Sequence, residues 1–405
     1  MEQEDIPYDF IQISDELDFI GVTLKASYTK TRKANCEVLE DKVNKTVGPW
    51  KGGKFQNITE RGHSINQYAL SKVFFRCASI PLRAATIKKI HSEVRGWALQ
   101  DCFVKPSALV LHRSPEDGGL GLYSVQYRAL ATLLRTFCEL ACHPNFQHSL
   151  YLSTLYRTEV LGEWCSVNVP NSPYYDSNFF NILRHYTNRN MNVATLTIKA
   201  WTTILTNDFV LLSPATDDTL PTLQPTRTEI INPTADWGLA WHLARLRGLP
   251  GDLADHMFRL LHDVLPTQER VARLGGNRGN RLPGVCRLCK PDTTETLIHC
   301  YFECPSNSQV ASCLVNCIQQ ICPGATRKDL LLLQLEVEDQ YELPIVTIIS
   351  SALKTIWDKR SQSKAVTFSH IKAEIETRAH TLARSPKYNS ASISIMNLLH
   401  NFNPS

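Results

Sequence analysis

The chain has 405 residues, 43% of them hydrophobic and 20% charged, with a formal net charge of +4. A chain this apolar can bury enough surface to offset its ordering entropy, which excludes a disordered protein, and its length implies roughly two to four compact units. No run of about 18 uncharged apolar residues occurs, so no membrane span is expected, and the mild charge makes any polyanion-binding surface a local one.

The start, MEQEDIPYDF, carries four acids and no base, unlike a secretory signal or an Arg-rich transit peptide. The expectation is a nuclear and/or cytoplasmic protein with no membrane partner. Thiols stay reduced there, and the 13 Cys need no disulfide explanation.

Residues 17–25, LDFIGVTLK, are β-rich and read as a short strand or hairpin arm. From Lys25 to Lys54 eight Lys or Arg face three acids, with Gly48-Pro49 and Gly52-Gly53 as breakers. Residues 64–78 place Ile65, Ala69, Val73 and Leu70, Phe74, Cys77 on one broad helical face, and a basic helix follows over 84–98, ending near Trp97. The glycines of SPEDGGLG, Ser114 to Gly121, mark a turn. Residues 124–142 form the strongest helical pattern, with Leu130, Leu133, Leu134, Phe137, Leu140 and Ala141 as the buried stripe. Further helices are predicted at 176–188, 194–207 and 236–248, and the Pro/Thr-rich stretch 213–235 reads as a linker. A helix over 252–264 takes Asp252 as its N-cap, with Pro266 just beyond its end. After Cys304-Pro305, helical patterns return at 307–322, 344–361 and 368–384. There is no internal repeat.

The most informative segment is Cys286-Arg-Leu-Cys289, then nine residues, His299, four residues and Cys304. Three thiols and one imidazole in this C-x2-C-x9-H-x4-C order suit tetrahedral Zn²⁺, because a CxxC turn brings two sulfurs into one coordination shell. With four protein ligands no position stays open, so the ion is expected to be structural. Against this stands the plain reading of isolated cysteines as small buried hydrophobes. A redox CxxC pair is a further option, but no thioredoxin-like βαβ pattern surrounds it. Cys300 is a spare thiol that could compete with Cys304, which is preferred because its gap gives the chain a full turn to re-enter the shell.

Beside the cluster runs a basic segment. Arg270, Arg273, Arg278, Arg281, Arg287 and Lys290 occur with no acid among them, and Gly275, Gly276 and Gly279 keep that backbone adaptable. A charge run is most often a solvated face, but next to a zinc knuckle it suits a phosphate backbone of RNA and/or DNA.

These residues resemble the zinc-binding domain near the C-terminus of LINE-type (non-LTR) retrotransposon reverse transcriptases: Leu265-Pro266-Thr267, the arginines, the CxxC, and Glu295-Thr296 ahead of His299 and Cys304. In the same order, Phe19-Ile20-Gly21-Val22 resembles the family's strand after the palm. Trp50 and residues 61–72 resemble its thumb helix, and Trp97 with Gly118-Gly119-Leu120-Gly121-Leu122 the end of that region. Trp201, Trp237 and Trp241 fall where the family has a helical spacer. The resemblance implies a mainly α chain of four parts: a thumb-like region (1–145), a helical spacer with the linker (146–264), a small irregular CCHC zinc-binding insert (265–310) and a helical tail (311–405).

A polymerase palm needs paired aspartates to hold two Mg²⁺ ions. The only adjacent Asp pair, Asp217-Asp218, lies in the linker with no aromatic before it and no strands around it, and no endonuclease-like acidic cluster follows Cys304. The expected protein is therefore not an enzyme. It is a nucleic-acid-binding C-terminal segment of such a polymerase, partnered by RNA and/or DNA and by a separate palm or another element-encoded protein. The alternative is a non-enzymatic α-helical remnant that contacts proteins and carries a structural zinc.

Overall fold

The computed structural model describes residues 16–19, 21–51, 57–100, 102, 105–106, 108–142, 156–157, 179–208, 227–274, 284–289 and 293–400. Asp217-Asp218, most of the expected linker, Gly275, Gly276, Gly279, Arg278, Arg281 and Lys290 lie outside them. The chain is mainly α, as the sequence implies. Its early elements are β1 (Glu16–Phe19), β2 (Val22–Lys25), α1 (Tyr28–Val47), α2 (Ile58–Ser64), α3 (Ser71–Cys77), α4 (Ala84–Ala98), α5 (Ala108–His112), α6 (Val125–Ala141), α7 (Phe179–Thr187) and α8 (Ile198–Asp208). There follow α9 (Arg227–Ile231), α10 (Trp237–Leu243), α11 (Gly251–Leu261), α12 (Gln268–Leu274), α13 (Ser308–Gln319), α14 (Arg327–Leu332), α15 (Asp339–Ser361), α16 (Phe368–Ala383) and α17 (Asn389–His400). No helix among the described residues is long and apolar enough to cross a membrane.

The chain divides into two compact units, one of residues 1–53, 63–98 and 122–222, the other of 54–62, 99–121 and 223–405. In the first, β1 and β2 pair antiparallel with Glu16 opposite Lys25. Buried Asn35 of α1 ties this hairpin down: its side chain accepts from Thr23 N at 3.1 Å and donates to Thr23 O at 2.7 Å. Helix α1 itself was hidden in the sequence among lysines and breakers. Ser27 caps it, and Cys36, Leu39, Val43 and Val47 form a buried stripe at helical spacing. Its charges stay outside, where Lys45 and Asp41 pair at 2.7 Å. The expected helix over 64–78 is longer and contains a π-helical stretch, Ile65–Leu70, between α2 and α3.

Helix α6 forms where the periodicity places it, with Ser124 as N-cap. It is buried on more than the predicted stripe: Tyr127, Ala131 and Cys138 join Leu133, Leu134 and Phe137, while Leu130 and Leu140 are only half-buried. Helices α7 and α8 explain this, since Phe137 meets Phe179 and Phe180 edge to face at 5.1 and 5.7 Å, and Trp201 closes the cluster.

In the second unit one core runs from Ala240 to Leu399, so the spacer's end, the Cys/His segment and the tail share a single apolar interior around α15. Helices α5, α9, α12, α14 and α17 are additions to the sequence reading, and α9 occupies part of the stretch 213–235 expected to be a linker. Pro250 takes the N-cap position of α11 in place of Asp252, which lies in the first turn and pairs with Arg378 of α16 at 2.7 Å.

The GGLG turn belongs to this unit. Gly118 has φ +78°, and a Cβ there would lie 2.3 Å from the Trp241 ring; one on Gly119 would lie 2.0 Å from the Arg113 carbonyl oxygen. Only glycines allow so close an approach. His262 stacks on Trp241 at 4.6 Å and donates from Nε2 to the Gly118 carbonyl at 2.8 Å.

Burial lowers the His262 pKa to about 4 and that of His256, which shares a hydrogen bond with the Tyr301 hydroxyl, to about 3. Both are neutral when folded and titrate near the ordinary ~6.5 when unfolded. Their contribution is therefore complete above about pH 6.5 and drains away as pH falls toward 4. Melting curves between pH 7.5 and 4.5 should show a falling midpoint. His262→Gln, which keeps a donor for Gly118, should flatten part of that fall. A slope unchanged in His262→Gln would contradict the assignment.

Candidate metal centre

The Cys/His segment is short of regular structure because few backbone bonds hold it. Val285 and Thr294 form an isolated antiparallel bridge, with Cys286 N donating to Thr293 O and Glu295 N to Gly284 O, both at 2.8 Å. These two rungs return the chain on itself and hold the CxxC turn at their open end. Leu288 N donates to Cys286 Sγ at 3.4 Å, which offsets part of what burial costs a thiolate there.

The second pair of donors comes from a π-helical turn, His299–Glu303, closed by Cys304 N on His299 O at 2.8 Å. In an α-helix, residues five apart point about 140° away from each other. The wider turn brings His299 and Cys304 to one side, which gives the x4 gap its geometric sense. Asn307 then secures the exit: its amide donates to Cys300 O at 3.1 Å, and its backbone N to Cys304 O at 2.8 Å.

One donor atom from each of Cys286, Cys289, His299 and Cys304 lies within 4.8 Å of the others, so the four could hold a metal ion. Cys286 Sγ and Cys304 Sγ are 3.9 Å apart, and Cys289 Sγ and His299 Nε2 3.4 Å. Burial pushes the Cys286 thiol up to about 12, as it does the thiol of Cys138 in the other unit, so a thiolate at Cys286 requires a cation beside it. Cys300 is not in this group; it is buried, and burial raises its thiol further still. Farther along, Cys317 is buried and Cys313 half-buried on α13, and Cys322, past the end of that helix, is buried.

The basic segment looks different in space from how it reads in line. Arg270 pairs with Asp263, both side chains largely covered, and Arg273 lies 3.0 Å from Glu269 one turn back on α12. Both acids sit just before the run, so a window from 270 to 290 misses them. Arg287 is exposed, and when the Gln268 amide is turned so that its oxygen faces it, that oxygen accepts from Nη2 at 3.1 Å and Nε at 3.0 Å.

The sequence reading also missed what anchors the cluster. Glu295 is fully buried and pairs with Arg360 of α15, itself 5% exposed. The same carboxylate accepts from Gln268 N at 2.9 Å, and the Arg360 guanidinium lies 4.6 Å over the Trp357 ring. Glu295 stood out only as part of a motif, and no local pattern names a partner 65 residues away. No protein-family model and no curated protein matches the chain.

Proposed function

We propose that the chain is a zinc-stabilised nucleic-acid-binding module resembling the thumb, spacer and zinc-binding tail of a LINE-type reverse transcriptase, without polymerase activity of its own. The observation that carries this reading is the meeting of the four donor atoms. Tetrahedral Zn²⁺ with bonds of ~2.3 Å to sulfur and ~2.0–2.1 Å to nitrogen sets two sulfurs about 3.8 Å apart and a sulfur and a nitrogen about 3.6 Å apart. The separations of 3.9 and 3.4 Å fit that ion closely. Three thiolates and an imidazole fill its shell, so the zinc holds the fold and activates no water. RNA or DNA is the proposed ligand, a separate palm the proposed partner, and nucleus or cytoplasm the proposed location.

The ion pairs of Arg270 and Arg273 favour a second reading, a helical protein-interaction module with the same zinc. The two readings separate in gel-shift titrations of single-stranded RNA and DNA at several salt concentrations. If Arg273 and Arg287 lie on phosphates, Arg273→Gln and Arg287→Gln should each reduce the slope of log affinity against log salt by about 0.7–0.9. Arg270→Gln should lower the melting temperature instead, because it strands Asp263. Unchanged slopes in both exposed variants would give the chain to the protein-interaction reading.

A further inference from the structure

The first unit holds a groove of about 720 Å³. Its walls are apolar: Val22 and Leu24 of β2, Phe74 and Phe75 of α3, Tyr123 and Ile198. Phe75 is 63% exposed and Leu24 41%, so a contiguous hydrophobic surface faces water. Grooves of this size, apolar with a few placed polar groups, are the usual form of small-molecule sites.

A cation stands among these walls. Arg128 of α6 lines the groove, its guanidinium carbon 4.6 Å from the Tyr123 ring centre and 6.0 Å from that of Phe74. Those two rings meet edge to face at 6.1 Å, and their electron-rich faces hold the guanidinium in place. No acid is among the lining residues, and among the described residues no carboxylate pairs with Arg128. Arg113, Arg360 and Arg378 each hold a carboxylate, from Glu229, Glu295 and Asp252, whereas buried Arg76 bonds the Asn35 amide and Arg245 the Gly119 carbonyl. A guanidinium is a planar fork of donors that matches carboxylate and phosphate oxygens. Fixed by aromatic rings and left without an acid, it offers that fork to whatever enters.

We propose that this groove binds an amphipathic organic anion, with its carboxylate or phosphate head on Arg128 and its apolar body along Phe75 and Leu24. The site lies in the first unit, uses none of the metal-cluster residues and does not depend on the nucleic-acid reading. The head supplies orientation and the missing countercharge, and the body covers the exposed rings.

Displacement of a fluorophore from the full chain tests it. The uncharged N-phenyl-1-naphthylamine brightens in apolar sites, and decanoate, decyl phosphate and decanol compete with it. Decanoate or decyl phosphate should displace it at about tenfold lower concentration than decanol, the size expected of one charge-assisted contact. The stronger of the two identifies the head group. Arg128→Gln should erase the advantage of the anion over decanol without changing decanol itself. Phe75→Ser, at an exposed position that the fold does not need, should weaken all three and keeps the test valid if losing Arg128 disturbs α6. Equal potency of decanol and decanoate, survival of the anion's advantage in Arg128→Gln, or failure of the fluorophore to bind would overturn the proposal. So would a single-stranded oligonucleotide that displaces the fluorophore at lower concentration than either anion, since it would assign the groove to nucleic acid.

Discussion

Cys286→Ser should abolish stoichiometric zinc and unfold the stretch 284–295, while Cys300→Ser should keep one zinc per chain. The contrast follows from geometry: the first residue supplies one of the four converging donors and the second does not. Structural zinc contributes on the order of 10–16 kcal/mol in small zinc-finger peptides at neutral pH. Between Gly284 and Glu295 the described residues have two backbone rungs and none of them joins the apolar core. Most of what fixes that stretch thus comes from the ion and from Glu295, while Tyr301 and Phe302 hold the π-turn to the core. The amides of Cys286 and Glu295 should therefore exchange slowly with bound metal and rapidly after chelation. Helix α6, whose core of Phe137, Phe179 and Trp201 contains no ligand, should keep its protection. Elemental analysis of the purified wild type and the two variants measures the first part, and amide exchange the second. A metal-free wild-type chain, or a Cys286→Ser protein that retains one zinc, would refute the assignment.

That cluster was the most legible part of the sequence because metal ligation depends on residue type and spacing over 19 residues, both of which a linear reading holds. The α6 pattern was legible for a similar reason: a 3.6-residue period survives whatever the helix packs against. Helix α1 was less visible, since its stripe of Cys36, Leu39, Val43 and Val47 is narrow and its other faces are dense with Lys and Glu. The GGLG turn could be read as a turn but not as a close approach, because the ring that forbids a Cβ at Gly118 belongs to Trp241, far along the chain. The basic segment misled in the opposite direction. Composition counts charges, while pairing decides whether a charge is available, and Asp263 and Glu269 pair with two of its arginines from outside the counted stretch.

The buried pair of Glu295 and Arg360 should show the largest single-site effect outside the zinc ligands. Arg360→Met leaves a carboxylate with no exposed surface and, among the described residues, only the Gln268 N–H to satisfy it. Removing one partner of a buried pair costs about 3–5 kcal/mol, because the remaining charge has neither water nor a counterion. At about 2–4 °C per kcal/mol for a unit of this size, the melting temperature should fall by roughly 6–20 °C. Replacing both residues removes the stranded charge, so Glu295→Met combined with Arg360→Met should recover most of the loss, short of the 1–3 kcal/mol for the unsatisfied Gln268 N–H. The pair should also reach the metal. Glu295 lies four residues before His299 and fixes the return strand of the loop through its backbone bond to Gly284. Arg360→Met should accordingly weaken zinc binding by about 10–100-fold, as the loss of outer partners does at other metal sites. A purely local role for the pair predicts lost stability with unchanged zinc affinity. Competition with a chromophoric chelator, run beside thermal melts of the two single variants and the double variant, separates these outcomes. Zinc affinity that falls in Arg360→Met and recovers in the double variant would place the coupling in the charge pair, because the metal ligands are the same in every protein compared.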